Sequence, residues 1–511
     1  MNGTLQISVF AIFGVLAAYF GLLVAIAWWM GRKENSGNNQ DFFIASKSSP
    51  WYVVAYGMIG ASLSGVTFIS IPGVVGAAKT NQAFSYMQVV MGYFIGYLII
   101  ANILLPLYYR LNLIYIYGYL KQRFGVHSYK TGAVLFLISR SIGSAFRLYL
   151  VVLVMDMLFK AGGLEIPFLL TTIVAVALIW VYTYKSGLKL IVWTDTLQTT
   201  FMLLSVILTI VFLISKLNYS SEDIWSKLSS AGLTKCFYFE DGWSNPNNFF
   251  KQFLGGMFIT IVMTGLDQDM MQKNLSCSNL KDAQKNMYSF SFVLIIVNFL
   301  FLFLGALLYL YMSEFDISIP QKIVNGEAKP AFDLVFPNLA MGYLPYYIGV
   351  VFIVGLVAAA YSTADSGLTA LTTSFCIDIL NIDVKDNSKK NLAKRQYVHF
   401  AMSVLLCLMI FGFWLVNDDS VINQLFVIAG YTYGPLLGLF MFGLFCKRSL
   451  KDRFVPVVCA SSPLFTFILN HYSTQLLYGY KFGFELLLIN GLITYFGLFI
   501  ISFKDSNVVK N

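Results

Sequence analysis

Charge is what this sequence has least of. Only 12% of its 511 residues are Asp, Glu, Lys or Arg, about half the ~25% of soluble domains, so most of the chain does not face water. Histidine is nearly missing, with 3 residues. The 6 cysteines have no metal or redox spacing, and only Cys236 falls in an expected outer loop, so no disulfide framework is implied. There is no GxxxxGK[ST], which excludes an ATP-driven pump built on a phosphate loop. HExxH and the nucleophile elbow are also absent, and nothing pairs a nucleophile with a base. An enzyme is not expected.

What is abundant is apolar. Hydrophobic residues make up 58% of the chain and the mean hydropathy is +0.71. Thirteen segments reach the roughly 18 apolar residues needed to cross a bilayer: about 6–30, 50–77, 84–109, 131–159, 165–184, 188–215, 249–270, 287–313, 342–380, 397–416, 422–446, 454–472 and 484–503. With the N-terminus outside, inner loops carry 23 Lys/Arg and outer loops 9, leaving Arg140 and Arg147 inside the fourth span. The net charge of +9 is therefore topological. It marks a multi-pass protein of the cell (inner or plasma) membrane with a cytoplasmic C-terminus, and it does not call for nucleic acid. The first span lacks a basic lead and a cleavage site, so it is expected to be retained. The longest outer loops, about 216–248 and 314–341, are too short for a core of their own, so residues 1–511 read as one transmembrane domain.

Two spans are interrupted. The second reads "GMIGASLSGVTFISIPG", with Ser64 and Gly65 in mid-span. The seventh reads "FLGGMFITIVMTGLDQDMMQK", with Thr264 and Gly265 before a polar inner end. Such residues let a membrane helix unwind where the freed backbone finds partners or lines a cavity. They also occur widely at helix packing surfaces. The two spans are five apart, the sequence pointer to an inverted-repeat transporter.

The ninth span contains "AAAYSTADSGLTALTT", which sets Ser362, Asp365, Ser366 and Thr369 on one helical face. Hydroxyls alone read as packing or as bonds back to their own helix. A carboxylate at a helix centre costs about 2.5–3.5 kcal/mol, so Asp365 calls for a polar cavity or a partner. Hydroxyls, free carbonyls and a carboxylate are hard ligands, suited to a hard cation such as Na⁺. Asp195, in "WTDTLQ", is a second buried carboxylate, with a structural ion pair and a cation ligand as equal readings. Arg140 and Arg147 are seven apart in "SRSIGSAFRLYL" and share a face. They are expected to neutralise Asp195 and Asp365, or to have one of them hold an anionic solute.

Together these segments resemble the sodium:solute symporter family, which includes sodium/glucose, sodium/proline and sodium/sialic-acid transporters. "GASLSGVTFISIPG", "WTDTLQ", "GLDQDMMQKNL", "AAAYSTADSGL…FCIDIL" and "GYTYGPLLGLFMFGLFCKR" resemble the family's first, fifth, sixth, eighth and tenth core helices. The resemblance implies an all-α membrane protein with a LeuT-like five-plus-five inverted-repeat core. An extra helix (6–30) precedes repeats at 50–215 and 249–446, and two helices at 454–503 follow. By position, it implies a main Na⁺ site from the carbonyls of Gly60, Leu63 and Ala359 with the hydroxyls of Ser362 and Thr363. A second Na⁺ site is implied at Asp195, Ser362, Asp365 and Ser366, where Asp365 departs from the family's serine.

For the solute, Ser64 and Thr67 match positions lining the site, and Phe84 and Gln88 an aromatic-x-x-x-Gln pattern similar to sialic-acid transporters. Those transporters hold the substrate carboxylate with an arginine matching Arg140 or Arg147. Sugar transporters use an asparagine and a tyrosine where Thr260 and Met263 stand here. The expectation is Na⁺-coupled symport of a small organic solute by alternating access, with an acidic sugar such as sialic acid leading. Neutral sugars or polyols, amino acids, and proton coupling through Asp195 or Asp365 are the alternatives. Na⁺, the solute and the bilayer are the expected partners, with no obligate protein partner.

Overall fold

The computed structural model describes residues 9–32, 38–77, 81–161, 163–184, 187–240, 242–324, 327–416, 421–477, 479–480 and 482–504. Among these, nine helices are long and apolar enough to cross a bilayer, two further spans are bent pairs, and two shorter apolar helices cover Phe168–Thr183 and Leu486–Ile500. In chain order they account for the thirteen expected spans; residues 6–8 of the first lie outside the described residues. Several helices outrun their apolar stretch. Val126–Ala161 starts in polar "VHSYK" and Leu280–Glu314 in "LKDAQKN", because a helix continues into water once its first turns are formed.

Enclosure separates centre from periphery. In Tyr346–Ile379, 78% of the apolar window is buried, against 28% for Ile12–Trp29 and 22% for Asp452–His471. The Tyr346–Ser374 helix packs on Gly187–Leu217, which also packs on Trp51–Ser62, and Val126–Ala161 closes against Tyr346–Ser374 from another side. These four helices bring both sequence-marked carboxylates and both span-four arginines to the middle of the protein. Outside the bundle lie an antiparallel hairpin, Gln321–Val324 with Glu327–Pro330, and a two-residue pairing of Ser449–Leu450 with Ser502–Phe503.

Both expected interruptions are present. Trp51–Ser62 and Gly65–Val74 meet at 58°, and Phe249–Gly265 and Gln268–Leu275 at 63°. At the first, Leu63 adopts φ −88°, ψ 86°, which ends the helix. At the second, residues Ile261–Gly265 widen into a π-helical turn before the chain bends.

Candidate ion and solute site

The first break leaves backbone oxygens without partners. Its first half ends with Leu63 N–H donating to Ile59 O (2.8 Å), and no backbone N–H among the described residues reaches the carbonyls from Gly60 to Leu63. Only the Thr363 hydroxyl comes across, donating to Ala61 O at 3.4 Å while also reaching Ala359 O at 3.3 Å. Gly60 allows this approach. A Cβ there would stand 2.3 Å from Thr199 Oγ1 and 3.2 Å from Ser362 Oγ, so any side chain would push the break off the Gly187–Leu217 helix and crowd the Tyr346–Ser374 helix. The Gly60 N–H instead donates to Thr199 Oγ1 at 3.0 Å. Gly60, Leu63, Ala359, Ser362 and Thr363 are thus gathered at one junction of buried, hard oxygen donors, the chemistry that suits a small cation.

Behind the junction, the charges pair differently from the sequence expectation. Ser362 Oγ donates to Asp195 Oδ1 (2.7 Å), and Lys273 Nζ donates to Asp195 Oδ2 (2.7 Å) and to Ser366 Oγ (2.7 Å). Lys273 is buried at 1% exposure, although it counts among inner-loop charges by sequence. It sits on Gln268–Leu275, the second half of the second broken helix, and the 63° bend turns it into the bundle. Arg140 likewise passes over Asp195 and Asp365 and pairs with Asp269, with Asp267 at 3.9 Å. Asp267 also accepts from Tyr433 O–H (2.7 Å) and caps the helix that follows through Asp269 N–H and Met270 N–H. Asp365 accepts from Tyr182 O–H (2.8 Å) and from the Ser366 N–H (2.6 Å). Neither arginine pairs with Asp195 or Asp365; Lys273 neutralises Asp195, and Asp365 receives only hydrogen bonds among the described residues.

Beside the break is a cavity of about 80 Å³, room for several water molecules. Ser64, Thr67, Arg140, Arg147, Thr260 and Met263 line it, together with Tyr86, Tyr93, Tyr97 and Asn298. Arg147 differs from Arg140 in that no carboxylate among the described residues lies within ion-pair distance of it, while the Nε of both arginines is buried without a partner. The second half of the first broken helix, Gly65–Val74, starts at this cavity. Its N-cap, Ser64, makes no side-chain capping bond, so the positive end of the helix is left toward the cavity. Gly65 packs there against Val151, one turn beyond Arg147.

Phe84 and Gln88 are elsewhere. Gln88 donates to Asn247 O (2.9 Å) and Gln252 Oε1 (2.8 Å) and accepts from Tyr238 N–H (3.1 Å), while Phe84 meets Phe299 edge-on. The glutamine is buried away from the cavity and ties the long loop that carries Tyr238 and Asn247 to the bundle.

A model of the sodium:solute symporter family matches residues 42–452. The chain belongs to that family. The sodium/sialic acid symporter NanT of Aliivibrio fischeri is 22% identical to this symporter over 87% of its chain and 85% of the relative. Sodium-coupled monocarboxylate transporter 1 of Mus musculus is 26% identical over 85% and 68% respectively. A solved structure of a Na⁺-coupled sialic acid symporter, substrate-bound and outward-open, matches with a TM-score of 0.79 at 18% identity, covering 96% of this chain and 97% of its own. The fold is thus the LeuT-like one, in a multi-pass membrane protein, and Na⁺ is the coupling ion.

The symporter's sequence hid several of these participants. Tyr86, Tyr93 and Tyr97 do repeat at i, i+7 and i+11, one face of Tyr86–Ile99, a signal that could have found the aromatic wall. Asp269 and Lys273 stand i, i+4 and read as an ordinary solvated pair. Nothing local says that each reaches a different partner in the core.

Proposed function

We propose that this protein imports a small solute bearing a carboxylate, an acidic sugar such as sialic acid foremost, together with Na⁺ by alternating access. The observation that carries the reading is the contrast between the two arginines. Both line the cavity, but Arg140 is consumed by Asp269 and Asp267, whereas no carboxylate among the described residues pairs with Arg147. A guanidinium so exposed to a cavity is a bidentate receptor for a carboxylate. The uncapped start of Gly65–Val74 adds partial positive charge on the same side. Two relatives whose names specify sialic acid and monocarboxylate fit an anionic solute.

The Na⁺ would take the carbonyls of Gly60, Leu63 and Ala359 and the hydroxyls of Ser362 and Thr363. It would tie the first broken helix to Tyr346–Ser374 and favour the outward-open state. Ser64, Thr67, Thr260 and Met263 would face the solute beside Arg147. Repeats at 50–215 and 249–446 would rock about this centre, after an extra helix at 6–30 and before two at 454–503. The loop charges favour an outer N-terminus and a cytoplasmic C-terminus. Coupling requires only that Na⁺ bind the two conformations with different affinity.

The test is uptake into proteoliposomes, with and without an inward Na⁺ gradient, across labelled sialic acid, a short monocarboxylate, hexoses, inositol and proline. Sodium-driven accumulation of an acid, lost about a hundredfold in Arg147→Met, supports the reading. Accumulation of a neutral sugar, polyol or amino acid unaffected by Arg147→Met overturns the carboxylate assignment. Uptake driven by a proton gradient alone overturns sodium coupling in favour of Asp195 or Asp365.

A further inference from the structure

We propose that Lys273 is a tethered cation standing in for a second coupling ion, so that this symporter binds one Na⁺ rather than two. The inference rests on the main Na⁺ site described above and concerns its neighbour. Asp195, Ser362, Asp365 and Ser366 look, by residue type, like a second cage for a hard cation. Each of their oxygen-bearing side chains is engaged. Lys273 Nζ lies 2.7 Å from both Asp195 Oδ2 and Ser366 Oγ, and Ser366 Oγ in turn donates to Ser362 O at 2.9 Å. Asp195 Oδ1 accepts from Ser362 Oγ, and Asp365 is occupied by Tyr182 O–H and the Ser366 N–H. A sodium ion taking the same two oxygens would fall on the ammonium itself, and two like charges cannot share them.

An ammonium delivers the charge that a bound ion would, with two differences. It cannot dissociate, and it does not respond to the Na⁺ gradient. It also links moving parts, since Lys273 belongs to the second half of the second broken helix while Asp195 and Ser366 lie on Gly187–Leu217 and Tyr346–Ser374. The chain of contacts continues to the main site. Lys273 holds the Asp195 carboxylate in place, and Asp195 accepts a hydrogen bond from the Ser362 hydroxyl, so the lone pairs of Ser362 are left to turn toward the Gly60 break. Lys273 is on this account a positioning residue for the Na⁺ that remains.

Equilibrium binding of radioactive Na⁺ to the purified full-length chain, without solute, tests this directly. The wild type should saturate at one Na⁺ per chain with a Hill coefficient of 1. Lys273→Ala should bind two, with a coefficient approaching 2 and a thermal midpoint that rises with Na⁺ more steeply than the wild type's. Adding Asp195→Asn to that variant should return the count to one. Two Na⁺ bound by the wild type overturns the inference even if no variant folds, and so does Lys273→Ala binding one. No Na⁺ bound by the wild type would instead remove the sodium site on which the inference rests.

Discussion

The two broken helices bend by similar angles, 58° and 63°, yet their freed backbone groups meet opposite fates. At the second break, Gly265 O accepts from Tyr108 O–H (2.8 Å) and Leu266 O from Tyr117 O–H (3.0 Å). Asp267 then caps the N–H groups of the next helix. That break is sealed by the protein. At the first, the carbonyls from Gly60 to Leu63 receive no backbone donor among the described residues, and Ser64 makes no capping bond. A buried polar group left unpaired costs about 1–3 kcal/mol, so the first break keeps a demand for polar partners that the second has already met. Two bends of like geometry are thus divided into a sealed elbow and an open break by what surrounds them.

The sharpest test of the sealed elbow is Arg140→Met. It strands Asp267 and Asp269 in the core, and breaking a buried pair in this way costs about 3–5 kcal/mol. A collapse in the yield of monodisperse protein, or a large fall in thermal midpoint, is expected. Arg147→Met strands no carboxylate and should fold within about 1 kcal/mol of wild type. Equal damage from both would erase the distinction between them.

At the open break the informative change is Thr363→Ala, which removes a hydroxyl facing Ala61 O. A contact to a charged group contributes about 1.5–3 kcal/mol, so half-saturating Na⁺ should rise about 10–100-fold with the fold intact. Unchanged sodium dependence would remove this hydroxyl from the site. The matching change at the elbow is Tyr117→Phe, which uncaps Leu266 O. About 1–3 kcal/mol of stability should be lost, read as thermal midpoint, while half-saturating Na⁺ stays within about twofold. A large shift in sodium affinity there would mean that both breaks handle the ion.

How much of this was legible beforehand follows from range. The thirteen spans depend on runs of apolar residues, and the breaks on Ser64-Gly65 and Thr264-Gly265, all local signals. The hydroxyl stripe from Ser362 to Thr369 is local too, and so could be read as one helical face. Charge pairing is not local. Lys273 meets Asp195 from 78 residues away, and at the polar end of a span it looks like one more cytoplasmic charge. Arg140 and Arg147 look equivalent because they share a helical face, and only the bend that brings Asp267 and Asp269 under one of them tells the two apart. Gln88 shows the same limit: its spacing from Phe84 matches a solute-binding pattern, while the loop its amide bonds to lies some 150 residues on.

The smallest expected effect bears most directly on why Ser64 stands at the first break. A serine at an N-cap ordinarily contributes about 1 kcal/mol through its bond to the helix N–H groups. Here that bond is missing, and the hydroxyl lines the cavity instead. Ser64→Ala should therefore change thermal stability by less than about 0.5 kcal/mol, well under the cost of an ordinary cap. Its effect should fall on the solute, as a rise in KM of a few-fold with maximal rate and sodium dependence little altered, since an interaction made equally in ground and transition states moves KM alone. A full cap-sized loss of stability would mean that Ser64 does for the first helix what Asp267 does for the second, and the open break would then be as sealed as the elbow.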